Sequence, residues 1–184
     1  MNIRNIGKEE CRALYSHMKR DFPANEIPPF FAVKQNFKKS IYAGFYLTGD
    51  IDMGYAVITA PENLNCALLN YFAVFPEYRS KGYGSEFLKI LLSRYSDRVF
   101  WLEADDPSAA KTGALREQAE RRVRFYERVG FRVMPTARAK IFGVDMVIMA
   151  SRQDKNLNAK DAMRALYMPA LGTYWLRFID IANL

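Results

Sequence analysis

The 184-residue chain has one histidine and two cysteines, and this scarcity excludes much chemistry. With His17 alone no multi-histidine metal site can be built, and a Ser-His-Asp triad would have to use this one residue. His17 lies in the polar stretch Tyr15-Ser16-His17-Met18-Lys19-Arg20, which reads as the exposed end of a helix with a solvated imidazole. Cys11 and Cys66 can form at most one bridge, too few for a disulfide framework or a structural zinc site. No metal is expected, and a reducing cytoplasmic setting is the simplest reading. No run approaches the ~20 apolar residues that a membrane span requires. The N-terminus Met1-Asn2-Ile3-Arg4-Asn5 lacks the apolar core of a signal peptide. A cytoplasmic protein without a membrane partner follows as the expectation. Internal repeats and low-complexity stretches are missing as well.

What is present is ample for a core. Half of the residues are hydrophobic and 14% are aromatic, so whole-chain disorder is ruled out. The length fits one domain, since folds usually hold roughly 100–200 residues. A formal net charge of +7 favours anionic partners, whether nucleic acid, anionic lipid or a phosphorylated cofactor, without choosing among them.

Periodicity sketches the organisation. Cys11, Leu14, Tyr15 and Met18 recur at helical spacing over 8–20. Three prolines then forbid a regular helix through 21–31, which reads as an aromatic-bearing loop with short helical turns. Residues 41–47 and 53–59 form a hairpin about a Gly-Asp turn. Cys66–Val74 is a third strand. Phe87, Leu88, Leu91, Leu92 and Tyr95 mark an amphipathic helix over 85–95. A short apolar strand at 99–104 is interrupted by Glu103. A polar linker, 105–112, leads to a second helix over about Gly113–Val129, stopped by Gly130. Strands follow at 131–134 and Val144–Ala150. The order predicts a mixed α/β domain over 1–150, with helices packed on a largely antiparallel sheet. The segment 151–184 begins polar, holds a helix near 159–167 and ends in Tyr174-Trp175-Leu176-Arg177-Phe178-Ile179. So apolar a tail is expected to pack on the core or on a partner subunit, as in a homodimer.

The most informative stretch is Phe72-Ala73-Val74-Phe75-Pro76-Glu77-Tyr78-Arg79-Ser80-Lys81-Gly82-Tyr83-Gly84. A strand ends, a basic loop with two glycines follows, and a helix starts at once. Amides at a helix start have no partners within the helix, and the dipole there favours negative charge. Glycines let a backbone approach a ligand closely, and Arg79 and Lys81 add positive charge. The pattern specifies a pyrophosphate cradle; its bland alternative is an ordinary tight turn. It is no Rossmann fingerprint, because the third glycine position is Phe87. Nor is it a P-loop, which needs Gly-Lys-Ser/Thr after a four-residue spacer.

Arg79-x-x-Gly82-x-Gly84, after a strand and opening a helix, resembles the acyl-CoA-binding motif Arg/Gln-x-x-Gly-x-Gly/Ala of the GNAT acetyltransferase superfamily. A second motif, Tyr126-Glu127-Arg128-Val129-Gly130-Phe131, resembles the family's Tyr-Glu-x-x-Gly-Phe helix end. The two occur in the family's order with one strand between them, covering about 68–134. The resemblance implies a central sheet splayed between its fourth and fifth strands, and acetyl-CoA as donor. It implies that the backbone of Ala73 and Val74 holds the pantetheine arm and polarises the thioester carbonyl. It implies too that the amides of Arg79, Ser80, Lys81, Gly82, Tyr83, Gly84 and Ser85 hold the pyrophosphate. The chain departs from the family at Ala119, seven residues before Tyr126, where many members carry Asn.

Acetyl transfer to an amine needs a neutral nucleophile, a stabilised oxyanion and a proton for the departing thiolate. Tyr126 matches the family position for that proton donor; Leu115, Ala119 and Val123 share its helical face, so a core role is the alternative. Glu103 is the candidate base, because a carboxylate in an apolar strand is costly unless it faces a cleft or is paired. An ion pair with an arginine is the other reading of Glu103, and Asp105 and Glu26 are lesser candidates. The run Arg116, Arg121, Arg122, Arg124 and Arg128 reads as a solvated face, and without a second basic strip interleaved with aromatics nucleic acid is not the expected partner. The expectation is an acetyl-CoA-dependent N-acetyltransferase acting on a primary amine of a small molecule or peptide. Tyr42, Phe45, Tyr46 and the proline-rich loop are expected to line the acceptor pocket. A non-catalytic acyl-CoA-binding or regulatory protein is the alternative.

Overall fold

The computed structural model describes residues 1–154, 157–176 and 178–183. The elements run β1 (Asn2–Asn5), α1 (Cys11–Asp21), α2 (Phe30–Lys38), β2 (Tyr42–Thr48), β3 (Asp52–Thr59), β4 (Cys66–Val74) and α3 (Tyr83–Arg94). They continue with β5 (Val99–Asp105), α4 (Gly113–Val129), β6 (Arg132–Ile141), β7 (Val144–Ala150), α5 (Ala159–Leu176) and β8 (Ile179–Asn183). One open sheet orders them β1-β2-β3-β4-β5-β7-β6-β8. Every neighbouring pair is antiparallel except β4–β5. The fold is mixed α/β.

Both faces of the sheet are covered, which is why β2 and β3 are buried almost end to end instead of alternating with solvent. On one face α3 and α4 lay Phe87, Leu88, Leu91, Tyr126 and Val129 over Phe45, Ala56, Leu69, Phe100 and Leu102. The other face is divided. Leu14 and Met18 of α1 and Val33 and Phe37 of α2 cover Tyr42, Tyr46, Tyr55 and Val57. Met163 and Leu166 of α5 cover Trp101, Ala139 and Ile148. Asn36 of α2 donates its side-chain amide to the Ala170 carbonyl at 3.0 Å, joining the two halves of that face.

The parallel pair β4–β5 is short. Cys66, Ala67 and Leu68 pair with Val99, Phe100 and Trp101, and there the pairing stops. Beyond it β4 stays with β3 up to Val74, and β5 turns to β7 from Trp101 to Asp105. The sheet opens into a V between them.

Several elements differ from the sequence reading. The polar four-residue edge strand β1 and the nine-residue helix α2 are too short to show a period. Within 21–31 the turn Ala24–Glu26 is helical, and α2 starts directly after Pro29. β6 runs to Ile141 because its register shifts between Val133 and Arg138, a bulge that accommodates Pro135. α5 continues to Leu176 across a kink at Gly172 (φ 73°). Of the aromatic stretch 174–179, Arg177 and the side chains of Tyr174 and Trp175 lie outside the described residues; Ile179 begins β8. His17 sits inside α1, half-buried, its ring 4.6 Å from that of Phe75. Burial lowers its pKa, with Arg20 adding to the effect. The solvated imidazole is therefore corrected: helical rotation turned it toward Phe75.

The floor of the V depends on Gly54. A Cβ there would meet the Ala73 carbonyl oxygen at 2.5 Å and Val74 Cα at 3.0 Å, both backbone. Gly54→Ala must push β3 and β4 apart, an overpacking cost of about 1–3 kcal/mol. A thermal melt should show a Tm lower by several degrees.

Candidate active site

A cleft of about 1140 Å³ occupies the V and passes between the two faces of the sheet. Its first wall is the free edge of β4. The Phe75 amide donates to the Met53 carbonyl at 2.9 Å. In an antiparallel ladder such bonded positions alternate, so Ala73 exchanges its bonds with Tyr55 while Val74, opposite Gly54, turns its polar groups outward. The Val74 carbonyl is met by Arg79 Nε at 2.9 Å, and Val74 N–H is the group left for a ligand. Of the two β4 residues marked by the sequence, Ala73 is thus committed to the ladder.

The second feature is the loop before α3. No amide from Ser80 to Ser85 donates to a protein acceptor among the described residues. Ser80 (φ 62°) and Gly82 (φ 85°) are left-handed, and such turns point successive amides into one concavity that suits an anion. Gly82 is the N-cap of α3, so the helix dipole adds to the effect. Arg79 buttresses this loop, since its guanidinium also reaches Asp21 at 3.2 Å. Lys81 is exposed and donates to the Glu77 carbonyl at 3.0 Å. Gly84 lies against Phe125 of α4, where a Cβ would come within 3.3 Å. These features fit an acyl-CoA: an amide concavity for a pyrophosphate and a free strand edge for an amide-bearing arm, both lining the one cleft.

Tyr126 enters from the α3–α4 face. It is 9% exposed, lines the cleft, and its hydroxyl bonds to no described residue. Burial raises its pKa, so the phenol is protonated at neutral pH. Its core alternative is met in part, since its ring packs on Phe131 and Phe125.

Glu103 enters from the opposite face. Strand alternation sets this: Leu102 points to α3 and α4, and Trp101 and Glu103 point to α5. Glu103 pairs with no described arginine; its described partner is the hydroxyl of Tyr167 on α5, which donates to its carboxylate. Burial raises its pKa to about 7, against which the Tyr167 hydrogen bond acts. Asp105 is held by Arg122 at 2.8 Å, which removes it as a free base. Glu26 lines the cleft with its pKa raised by burial, and its backbone carbonyl accepts from Tyr71 at 2.9 Å.

The acceptor side also needs correction. Tyr42 and Pro28–Pro29 line the cleft. Phe45 and Tyr46 do not: Phe45 is buried under α3, and Tyr46 lies under the Arg4 guanidinium. The basic helix is not a uniform solvated face, because Arg121, Arg122 and Arg128 line the cleft. Tyr71 and Tyr167 were missed. Tyr71 lay inside a recognised strand whose period marks it as one face or the other, but nothing local ties Tyr167 to a carboxylate 64 positions away.

An open β4–β5 sheet, an amide concavity at the start of α3 and two titratable groups entering one cleft from opposite faces make up the candidate site. Residues 33–133, more than half of the chain, match the family model of the acetyltransferase (GNAT) domain, and the chain belongs to that family. Solved structures share the fold. A GNAT-family protein from Bacteroides thetaiotaomicron superposes with a TM-score of 0.77 at 18% identity, covering 94% of this chain and 99% of its own. The ribosomal-protein-S18-alanine N-acetyltransferase of Escherichia coli gives 0.56 at 24% identity over 85% and 98%. The dodecameric spermidine N-acetyltransferase of Vibrio cholerae gives 0.62 at 15% identity over 85% and 96%. No curated protein matches the sequence. No described helix is long and apolar enough to cross a membrane, and no described cluster could hold a metal ion.

Glu103 yields a stability test. Its folded pKa of about 7 exceeds the usual 4.5, so between these values the folded chain binds more protons than the unfolded one. Stability falls as pH rises through that window, and the full penalty of burying the charge stands above pH 7. Glu103→Gln removes the penalty. Its stability advantage over the parent, read by denaturant titration, should be small at pH 4 and grow toward pH 8, by up to about 3 kcal/mol from the size of the shift.

Proposed function

We propose that this chain is an acetyl-CoA-dependent N-acetyltransferase that moves an acetyl group to a primary amine of a small molecule or peptide, by direct attack in a ternary complex. One observation carries the reading: a carboxylate with a pKa near neutrality and a protonated phenol reach one cleft from opposite faces of the sheet. A protein that only bound acyl-CoA would need neither. Acetyl-CoA supplies an activated thioester. The amides of Ser80 to Ser85 bind its pyrophosphate, with Arg79 bracing their loop and Lys81 adding positive charge. Val74 N–H, beside Ala73, donates to the acyl carbonyl and stabilises the oxyanion. Glu103, directly or through water, takes a proton from the incoming ammonium so that its nitrogen lone pair can attack the carbonyl carbon. As the C–S bond breaks, Tyr126 gives its proton to the sulfur. The adduct nitrogen gives up its second proton to the Tyr126 phenolate, restoring the phenol, and the proton held by Glu103 passes to solvent; one N–C bond forms, one C–S bond breaks, and the thiol and an amide leave.

The acceptor meets Glu103 on the α1–α2–α5 side, among Tyr42, Tyr71 and Tyr167. Aromatic faces and an unpaired carboxylate suit a cationic amine arriving from water. Two of the relatives are named for a ribosomal-protein alanine and for spermidine, which supports an amine without choosing between protein and small molecule.

Two variants test the assignment. Tyr126→Phe removes a group that acts in the transition state, so kcat should fall 10²–10⁴-fold where chemistry limits, with the Kd for acetyl-CoA nearly unchanged. Free-thiol release across a panel of amines reads the first quantity and calorimetry the second. Unchanged turnover would make Tyr126 a core residue. Lys81→Glu reverses an exposed charge beside the amide concavity. The Kd for CoA should rise about tenfold at low salt, with the gap narrowing as salt screens it. A CoA affinity equal to the parent's would place the pyrophosphate elsewhere.

A further inference from the structure

We propose that Tyr167, on the C-terminal helix α5, is a positioning residue that holds the Glu103 carboxylate facing the cleft, so that the segment after residue 150 completes the catalytic site. The inference rests on the reading of Glu103 as the base. It goes beyond the residues that match the family, since Tyr167 lies outside 33–133.

The geometry is as follows. Glu103 stands on β5 past the last residue paired with β4; the β5–β7 ladder sets the face it points to, but among the described residues no ion pair fixes where its carboxylate sits. Tyr167 is 7% exposed and donates its hydroxyl to Glu103 Oε1. A buried tyrosine hydroxyl is fixed by its ring, so the bond sets where the carboxylate sits. The ring in turn is fixed by α5, whose Met163 and Leu166 are fully buried on Trp101 and Ile148. One turn further, the Ala170 carbonyl accepts from Asn36, which pins α5 against α2. Around Glu103 the other groups are uncharged or turned away. Tyr71 of β4 gives its hydroxyl to the Glu26 backbone, Tyr42 of β2 is buried with a pKa pushed up to about 12, and Asp105 is committed to Arg122 of α4. Glu26 faces the Asp105–Arg122 pair. Tyr167 is therefore the sole described hydrogen-bond donor to the carboxylate. A donor to the ionised form favours that form. Without it, Glu103 would protonate more readily and rotate freely in an apolar wall.

The test uses the full chain. Carbon-13 glutamate labelling follows the Glu103 carboxyl resonance, identified by its loss in Glu103→Gln, in the parent and in Tyr167→Phe. The expected result is an upward shift of the Glu103 pKa by about one unit in Tyr167→Phe. The acid limb of kcat/KM should move up equally, so that kcat/KM at a pH below both values falls about tenfold while the high-pH plateau changes little. A purely structural tyrosine would lower the plateau and leave the limb in place. Should Tyr167→Phe not fold, 3-fluorotyrosine at 167 keeps the shape and strengthens the donor, and the Glu103 pKa should then fall. An unmoved Glu103 resonance in folded protein overturns the proposal. A moved resonance combined with full turnover in Glu103→Gln overturns the base reading instead, and with it Tyr167's part in the reaction, while leaving the hydrogen bond intact.

Discussion

The structure turns on a parallel contact that stops after three paired positions. Had β4 and β5 paired along their length, the sheet would be continuous and the polar edge of Phe72–Val74 would be spent in it. Backbone groups away from water must be satisfied. Arg79 answers for the Val74 carbonyl, and the amide is left over. The same divergence carries the chain from the end of β4 into a turn with two left-handed residues, because the strand must reverse into α3 within a few positions. The amide concavity and the strand edge are thus two results of one broken ladder.

Splaying also makes the site two-sided. A closed sheet would separate Tyr126, on α4 over one face, from Glu103, beneath α5 on the other. Opened at β4–β5, it lets side chains that obey ordinary strand and helix periods meet without strain. The arrangement has a cost: Glu103 is a carboxylate buried in an apolar wall, and its raised pKa is the measure of that penalty. One hydroxyl offsets part of it. The helix supplying that hydroxyl is secured by its own apolar face and by Asn36, so the three helices on that side act as one support.

Much of this was legible in the sequence. The hairpin, β4, α4 and β7 follow from β-branched runs, glycine stops and helical spacing, each of which acts locally. The glycine loop was legible because its left-handed turn at Gly82 needs backbone freedom, which only particular residues provide. Tyr126 and Glu103 could be singled out, one by motif and one by the oddity of a carboxylate among apolar neighbours. What could not be read were relations set by packing. Phe45 and Tyr46 look like pocket aromatics, but strand alternation sends one under α3 and the other toward α1. Asp105 looks available, yet it finds Arg122 of α4. Tyr167 joins Glu103 only because α5 crosses the far half of the sheet, and no local pattern encodes that crossing.

The formal charge of +7 says little about the cleft, where charge is sorted by side. On the α3–α4 side lie the uncommitted amides, the α3 N-terminus, and Arg121 and Arg128 without an acidic partner among the described residues. On the α1–α2–α5 side lie Glu103 and Glu26, carboxylates that no described arginine or lysine pairs. Asp21–Arg79 and Asp105–Arg122 cancel at the boundary. A polyanionic donor and a cationic acceptor would therefore each find one side favourable and the other not. In a cleft with low-dielectric walls such a division persists over distances that water would screen. It would orient such a donor and acceptor head to head at the opening of the sheet before any contact specific to either has formed, where Tyr126 and Glu103 stand on opposite faces.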